Sequence, residues 1–207
     1  MSKHMHPWHD VELPHALDAP IPVIVESPMG SRVKCKVDKA TGLLIVDGIL
    51  LSAERYPANY GFVPRTYCED GDPLDILVYC QVPIEPLAIV RARVIGVIKM
   101  RDDRGDDDTL ISAHSDDPEY ASVSDIQDLP ALRLRGLRRF LQDYEALEKS
   151  KEVSMWELQG RNEGLRILED AILRYRQERP RLLPPPNRGP TSVPSDRATR
   201  GAAHRAH

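Results

Sequence analysis

Asp70-Gly71-Asp72-Pro73-Leu74-Asp75 puts three carboxylates into six residues, and Gly71 and Pro73 keep the stretch from being an ordinary helix or strand interior. A tight turn aims such acids into one small volume. Like charges a few Å apart do not all stay ionised unless protons or cations neutralise them. Oxygen-only ligands suit hard cations, so the chemistry this cluster points to is Mg²⁺ binding rather than zinc or copper. The plain alternative is a solvated Asp/Gly/Pro turn. The flank argues against it: apolar Ile76-Leu77-Val78-Tyr79 follows directly, so Asp75 stands at the entry of a buried strand. Two more acids, Asp102 and Asp107, bracket Asp103-Arg104-Gly105-Asp106 after the long apolar run that ends at Met100. Acids there face a barrel mouth or belong to a hairpin turn.

The elements that must carry these acids are short. Apolar segments at Ile21–Val25, Val33–Val37, Leu43–Val46, Leu74–Tyr79, Ile89–Ile98 and Thr109–Ser112 are separated by Pro, Gly and Asp, the pattern of a compact β-barrel or sandwich. Two helical patterns follow. Leu137, Phe140, Leu141, Tyr144 and Leu147 recur at helical spacing behind Asp128-Leu129-Pro130; Leu165, Leu168, Ile172 and Tyr175 recur before Pro180, which is expected to close the second helix. The expected fold is mainly β with α: a small barrel with two C-terminal helices packed outside.

Glu69-Asp70-Gly71-Asp72-Pro73-Leu74-Asp75-Ile76 resembles the signature of the family I soluble inorganic pyrophosphatases. The resemblance extends to Tyr56-Pro57-Ala58-Asn59-Tyr60-Gly61-Phe62-Val63-Pro64-Arg65-Thr66, to Gly96-Val97-Ile98-Lys99-Met100 and to Asp116-Asp117-Pro118-Glu119-Tyr120, in order, over about residues 6–178. His6-Pro7-Trp8-His9-Asp10 is similar to the plant-type branch. The resemblance implies a five-stranded OB-like barrel and Mg²⁺-dependent hydrolysis of inorganic diphosphate by a metal-bridged water. It implies that Asp70, Asp75 and Asp107 hold the central metal pair, that Asp102 with Asp107 holds a further ion, and that Glu26 contacts another. Asp72 matches the acid that deprotonates the water; Lys34, Tyr60 and Tyr144 match phosphate contacts. Related bacterial enzymes assemble as homo-oligomers, so a homo-oligomer is an open expectation.

Four substrate-side positions depart from the family pattern. Gly48 replaces an arginine, Thr109 and Glu145 replace lysines, and Lys36 replaces a glutamate, a net loss of two positive units. Charge-assisted phosphate contacts contribute about 1.5–3 kcal/mol each. Two further readings therefore stand beside diphosphate hydrolysis. One is a hydrolase of a less charged organic phosphate or phosphoanhydride, and the other is a non-catalytic OB-like binding module.

At 207 residues and 23.3 kDa the chain fits one domain over residues 1–179. Residues 180–207 carry five arginines against Asp196 alone, with Pro184-Pro185-Pro186 and few aliphatics, and are expected to be a disordered tail. That tail is +4 within a net −4, so the body is −8, a poor match to nucleic acid. Three cysteines without CxxC spacing, no long apolar run and no secretory h-region point to a cytoplasmic protein that does not engage membranes.

Overall fold

A computed structural model describes residues 5–50, 55–102, 105–147 and 156–183. The apolar runs fold as strands: β1 (Ile21–Ser27), β2 (Val33–Val37), β3 (Leu44–Ile49), β4 (Asn59–Phe62), β5 (Asp75–Tyr79), β6 (Ile89–Asp102), β7 (Gly105–Asp106) and β8 (Thr109–His114). Helix α1 (Ala131–Leu147), strand β9 (Trp156–Gly160) and helix α2 (Arg161–Leu182) complete the described body. Five strands close into a barrel. β1 runs antiparallel to β4, β4 antiparallel to β5, β5 parallel to β8, β8 antiparallel to β6, and β6 returns to β1 with Ile21 opposite Ala92. Closure removes the exposed edges that an open sheet would leave for aggregation. The 14 residues of β6 let it do double work: Ile89–Ala92 pair with β1, while Gly96–Met100 pair with β9.

Both faces of the strands are apolar because both are covered, which is why the sequence shows runs rather than alternation. Ile76, Val78 and Leu110 pack with Ile167, Leu168, Ala171 and Ile172 of α2. The opposite parity, Leu77, Tyr79 and Ile111, packs with Leu137, Phe140 and Leu141 of α1. The barrel and its two covering helices agree with the sequence expectation. Pro180 does not close α2, however. The helix continues to Leu182, and Leu183 N–H donates to Arg179 O at 2.9 Å. A proline this close to the end forfeits one backbone bond on an exposed turn, too little to stop the last residues. The tail beyond residue 183 lies outside the described residues.

Strands β4 and β9 are absent from the sequence reading. In β4, Gly61 looks like turn punctuation, but it is there because β1 passes too close for a side chain. A Cβ built at Gly61 would stand 1.9 Å from Ile24 O. Gly61→Ala should force the β1–β4 ladder apart, costing about 3 kcal/mol or more and lowering the melting temperature by about 10 °C. An unchanged midpoint in a thermal melt would refute that close approach. Among the described residues no helix is long and apolar enough to cross a membrane.

Candidate active site

The acid turn is held from both ends. Thr66, fully buried, accepts from Leu74 N–H at 2.8 Å and donates to Val63 O at 2.6 Å, fixing the entry to β5. Trp8 Nε1 donates to Thr66 O at 2.9 Å, so the N-terminal strap braces the same loop. Within the turn, Cys68 N–H donates to Asp72 O at 2.8 Å, and Asp72 N–H donates to Asp70 Oδ1 at 3.0 Å. Gly71 sits at φ +84°, a left-handed conformation that glycine adopts without strain. Asp75 opens β5 and lies in register with Phe62 of β4 on one side and Thr109 of β8 on the other. Asp107 lies between β7 and β8, two residues before Thr109, and lines the same cavity as Asp75.

Glu26 reaches that cavity by a different device. The β1–β4 register shifts between Val25 and Ser27, and a bulge of this kind re-aims the side chain at its centre. Beside it, β2 and β3 form a separate two-stranded ribbon. Its register slips between Lys34 and Cys35, leaving Asp47 as the extra residue, 3.6 Å from Lys34 Nζ. The hairpin loop is built by Asp38, whose Oδ2 accepts from Thr41 N–H at 2.8 Å and from its hydroxyl at 2.6 Å. That loop presents Lys39.

Glu26, Lys34, Tyr60, Asp70, Asp72, Asp75 and Asp107, all expected site residues, line one cavity of about 270 Å³. Lys36, Lys39 and Thr109 line it too, with Leu77, Ile98, Phe140 and Leu141 as apolar wall. The backbones of Asp102 and Tyr144 lie in β6 and α1; their side chains, and that of Glu145, lie outside the described residues. The acids share a cavity without closing on a point: among the described residues no three His, Cys, Asp or Glu side chains gather closely enough to hold one ion. Several of them have other partners. Lys39 Nζ stands 2.5 Å from Asp72 Oδ1 and also donates to Gly71 O at 2.9 Å. The Tyr60 hydroxyl donates to Asp75. Lys39 is the site residue the sequence reading missed. Asp38-Lys39-Ala40-Thr41-Gly42 reads only as a turn, and its pairing with a residue over thirty positions away has no local signal.

The cavity carries excess negative charge. Burial, then the neighbouring Asp75, pushes the Glu26 carboxyl up to about 8, against a short bond from Val37 N–H at 2.6 Å. Burial pushes Asp75 up to about 7, offset by the Tyr60 hydroxyl and raised further by Asp107.

Residues 23–176 match the inorganic pyrophosphatase family. The chain belongs to that family. The soluble inorganic pyrophosphatase 2 of Chlamydomonas reinhardtii is 47% identical over 174 residues, 83% of this chain and 89% of that one. A soluble inorganic pyrophosphatase of Oryza sativa is 49% identical over 150 residues, 72% of this chain and 70% of its own length. The solved inorganic pyrophosphatase from Helicobacter pylori superposes with a TM-score of 0.74 at 38% identity, covering 80% of this chain and 98% of that one.

Membership of the pyrophosphatase family implies a divalent metal cofactor, and the donor set fits one. The acids lining the cavity offer only carboxylate oxygens, the ligands of hard cations. Burial, with the neighbouring carboxylates, holds two of them well above the usual carboxylate range, a charge deficit a cation would relieve. The departures also take their places. Thr109, 5% exposed, faces Asp75 in the cavity, and Gly48 lies opposite Lys34 in the β2–β3 ladder with open space where its Cβ would be.

Proposed function

We propose that this cavity hydrolyses inorganic diphosphate with Mg²⁺ as its metal, Asp72 serving as general base. Diphosphate hydrolysis is the activity of the family to which the chain belongs. The observation that carries the assignment of roles is the convergence of seven expected site residues on one cavity of about 270 Å³. That volume lies below the range of about 300–1,000 Å³ typical of drug-sized ligands, and it favours a small anion over a nucleotide.

In this reading Asp70, Asp75 and Asp107 would hold the ions, joined by Asp102, with Glu26 at the edge of the same cavity. When bound, such ions lower the pKa of the attacking water and screen the substrate's charge. Asp72 takes the water's proton, and Lys39 orients its carboxylate at 2.5 Å. Lys34 and Tyr144 receive phosphate oxygens and offset charge as it develops on the leaving group. Tyr60 fixes the Asp75 carboxylate through its hydroxyl and flanks the substrate from β4. A cytoplasmic location and assembly into a homo-oligomer belong to the same reading; sedimentation of the purified protein checks the second.

A second reading rests on Gly48 and Thr109. A short neutral side chain at Thr109 in the cavity lining, with open space at Gly48 in the β2–β3 ribbon rather than in that lining, suits an organic phosphate of lower charge. One assay separates the two. Phosphate release should be measured with Mg²⁺ from diphosphate and from a panel of nucleotides and phosphoesters. Diphosphate should be the fastest substrate. A faster nucleotide or phosphoester would install the second reading, and no release from any substrate would overturn both.

A further inference from the structure

Three lysines face the acids of this cavity, all from the β2–β3 hairpin, and two have identified acidic partners. Lys39 pairs with Asp72 at 2.5 Å and Lys34 lies 3.6 Å from Asp47. Lys36 sits between them in sequence, on a strand whose next residue is bonded to Glu26. Two hydrogen bonds staple β2 across the end of β1, one on either side of residue 36. Cys35 N–H donates to Ser27 Oγ at 3.0 Å, and Val37 N–H donates to Glu26 Oε1 at 2.6 Å. Strand alternation then puts Lys34 and Lys36 on one face, and both side chains line the cavity while Cys35 does not.

Glu26 is 5% exposed, so its carboxylate needs compensation. One of its oxygens is already taken by the Val37 N–H, which halves what it offers to a metal ion. Lys36 lines the same cavity as Glu26 and Asp75. A dication held by the buried Glu26 would share this cavity with the Lys36 ammonium, where like charges repel more strongly than in open water.

We propose that the Lys36 ammonium is a resident cation of the catalytic cavity, standing at Glu26 in place of one divalent ion, so that the substrate complex forms with one metal ion fewer. The proposal rests on the reading of the cavity as a metal-dependent diphosphatase site. Its consequence for specificity is direct: one fixed positive charge replaces two exchangeable ones, which lowers the anionic charge the filled site accepts. Lys36 is then a specificity-determining residue, lining the same cavity as the departure at Thr109.

The test counts ions rather than turnover. Mn²⁺ bound at saturation should be measured by electron paramagnetic resonance in the presence of methylenediphosphonate, a diphosphate analogue with no hydrolysable bridge. The wild type, K36E and K36M are compared, with melting curves to confirm folding. K36E should bind one Mn²⁺ more than the wild type, and K36M should show the same gain at higher Mn²⁺ concentration. K36M carries the test should K36E fail to fold, because it removes the charge without adding another. Equal counts in the wild type and the folded variants would overturn the proposal while leaving the diphosphatase reading intact. A wild type that binds no Mn²⁺ and releases no phosphate from diphosphate would overturn both.

Discussion

Asp72→Asn should lower diphosphate turnover by about 10²–10⁴-fold, the usual contribution of a positioned general base, while leaving the fold and the metal affinity nearly unchanged. The substitution is close to isosteric, and the turn around it is built mainly from other atoms. Cys68 N–H still reaches the residue 72 carbonyl, and the residue 72 N–H still reaches Asp70 Oδ1. The amide oxygen still accepts from Lys39, though the ion pair becomes an ordinary hydrogen bond. What disappears is the lone pair that takes the proton of the attacking water. Steady-state kinetics at saturating Mg²⁺, with a melting curve and a metal titration on the same preparation, separate these effects. A wild-type rate in this variant would remove Asp72 from the chemistry and leave it as a partner of Lys39 in the turn.

The acid turn is legible in sequence because its geometry is local. Gly71 and Pro73 declare a turn, and the apolar run after Asp75 declares a buried strand, so the acids must lie at a strand entrance. Glu26 and Asp107 are not legible that way. Glu26 reaches the cavity only through a bulge in β1, and Asp107 through the parallel pairing of β8 with β5, both long-range events. For Glu26 only the family resemblance points to the cavity; for Asp107 the sequence leaves a barrel mouth or a hairpin turn open, and the resemblance chooses between them. Strand β4 is hidden for the same kind of reason. Asn59 is fully buried because its Oδ1 accepts from Met29 N–H at 3.0 Å and Ile84 N–H at 2.8 Å, while its Nδ2 donates to Val82 O. Gly61 is required by the approach of β1. Each looks like a loop residue until its partner from a distant segment is in place. The barrel as a whole survives these omissions because the other apolar runs already demand closure around one core.

Asp75→Ala should act on the metal before it acts on the chemistry. Asp75 is central in the sheet, between Phe62 and Thr109, and its carboxylate meets the Tyr60 hydroxyl at the cavity wall. In the proposed mechanism its removal deletes an oxygen ligand from the metal site, and it takes away the partner of that hydroxyl. The Mg²⁺ concentration for half-maximal rate should rise by on the order of 10–100-fold, and excess Mg²⁺ should recover part of the lost rate. Stability without metal should move the opposite way with pH. In the folded chain Asp75 is pushed up to about 7, above its value of 3.8 in an unfolded chain. A group raised in this manner stabilises the fold fully below its unfolded pKa, and that stabilisation is lost as pH rises through the folded one. Metal-free wild type should therefore lose stability between about pH 4 and 7, and divalent ions should return it by giving the carboxylate its counter-charge. In Asp75→Ala that slope should become shallower but not vanish, because Glu26, raised from 4.5 to about 8, still contributes its own loss between about pH 4.5 and 8. Melting temperatures across this range, with and without Mg²⁺, measure both effects. An unchanged Mg²⁺ dependence together with an unchanged pH slope would reduce Asp75 to an ordinary acid at a strand entrance.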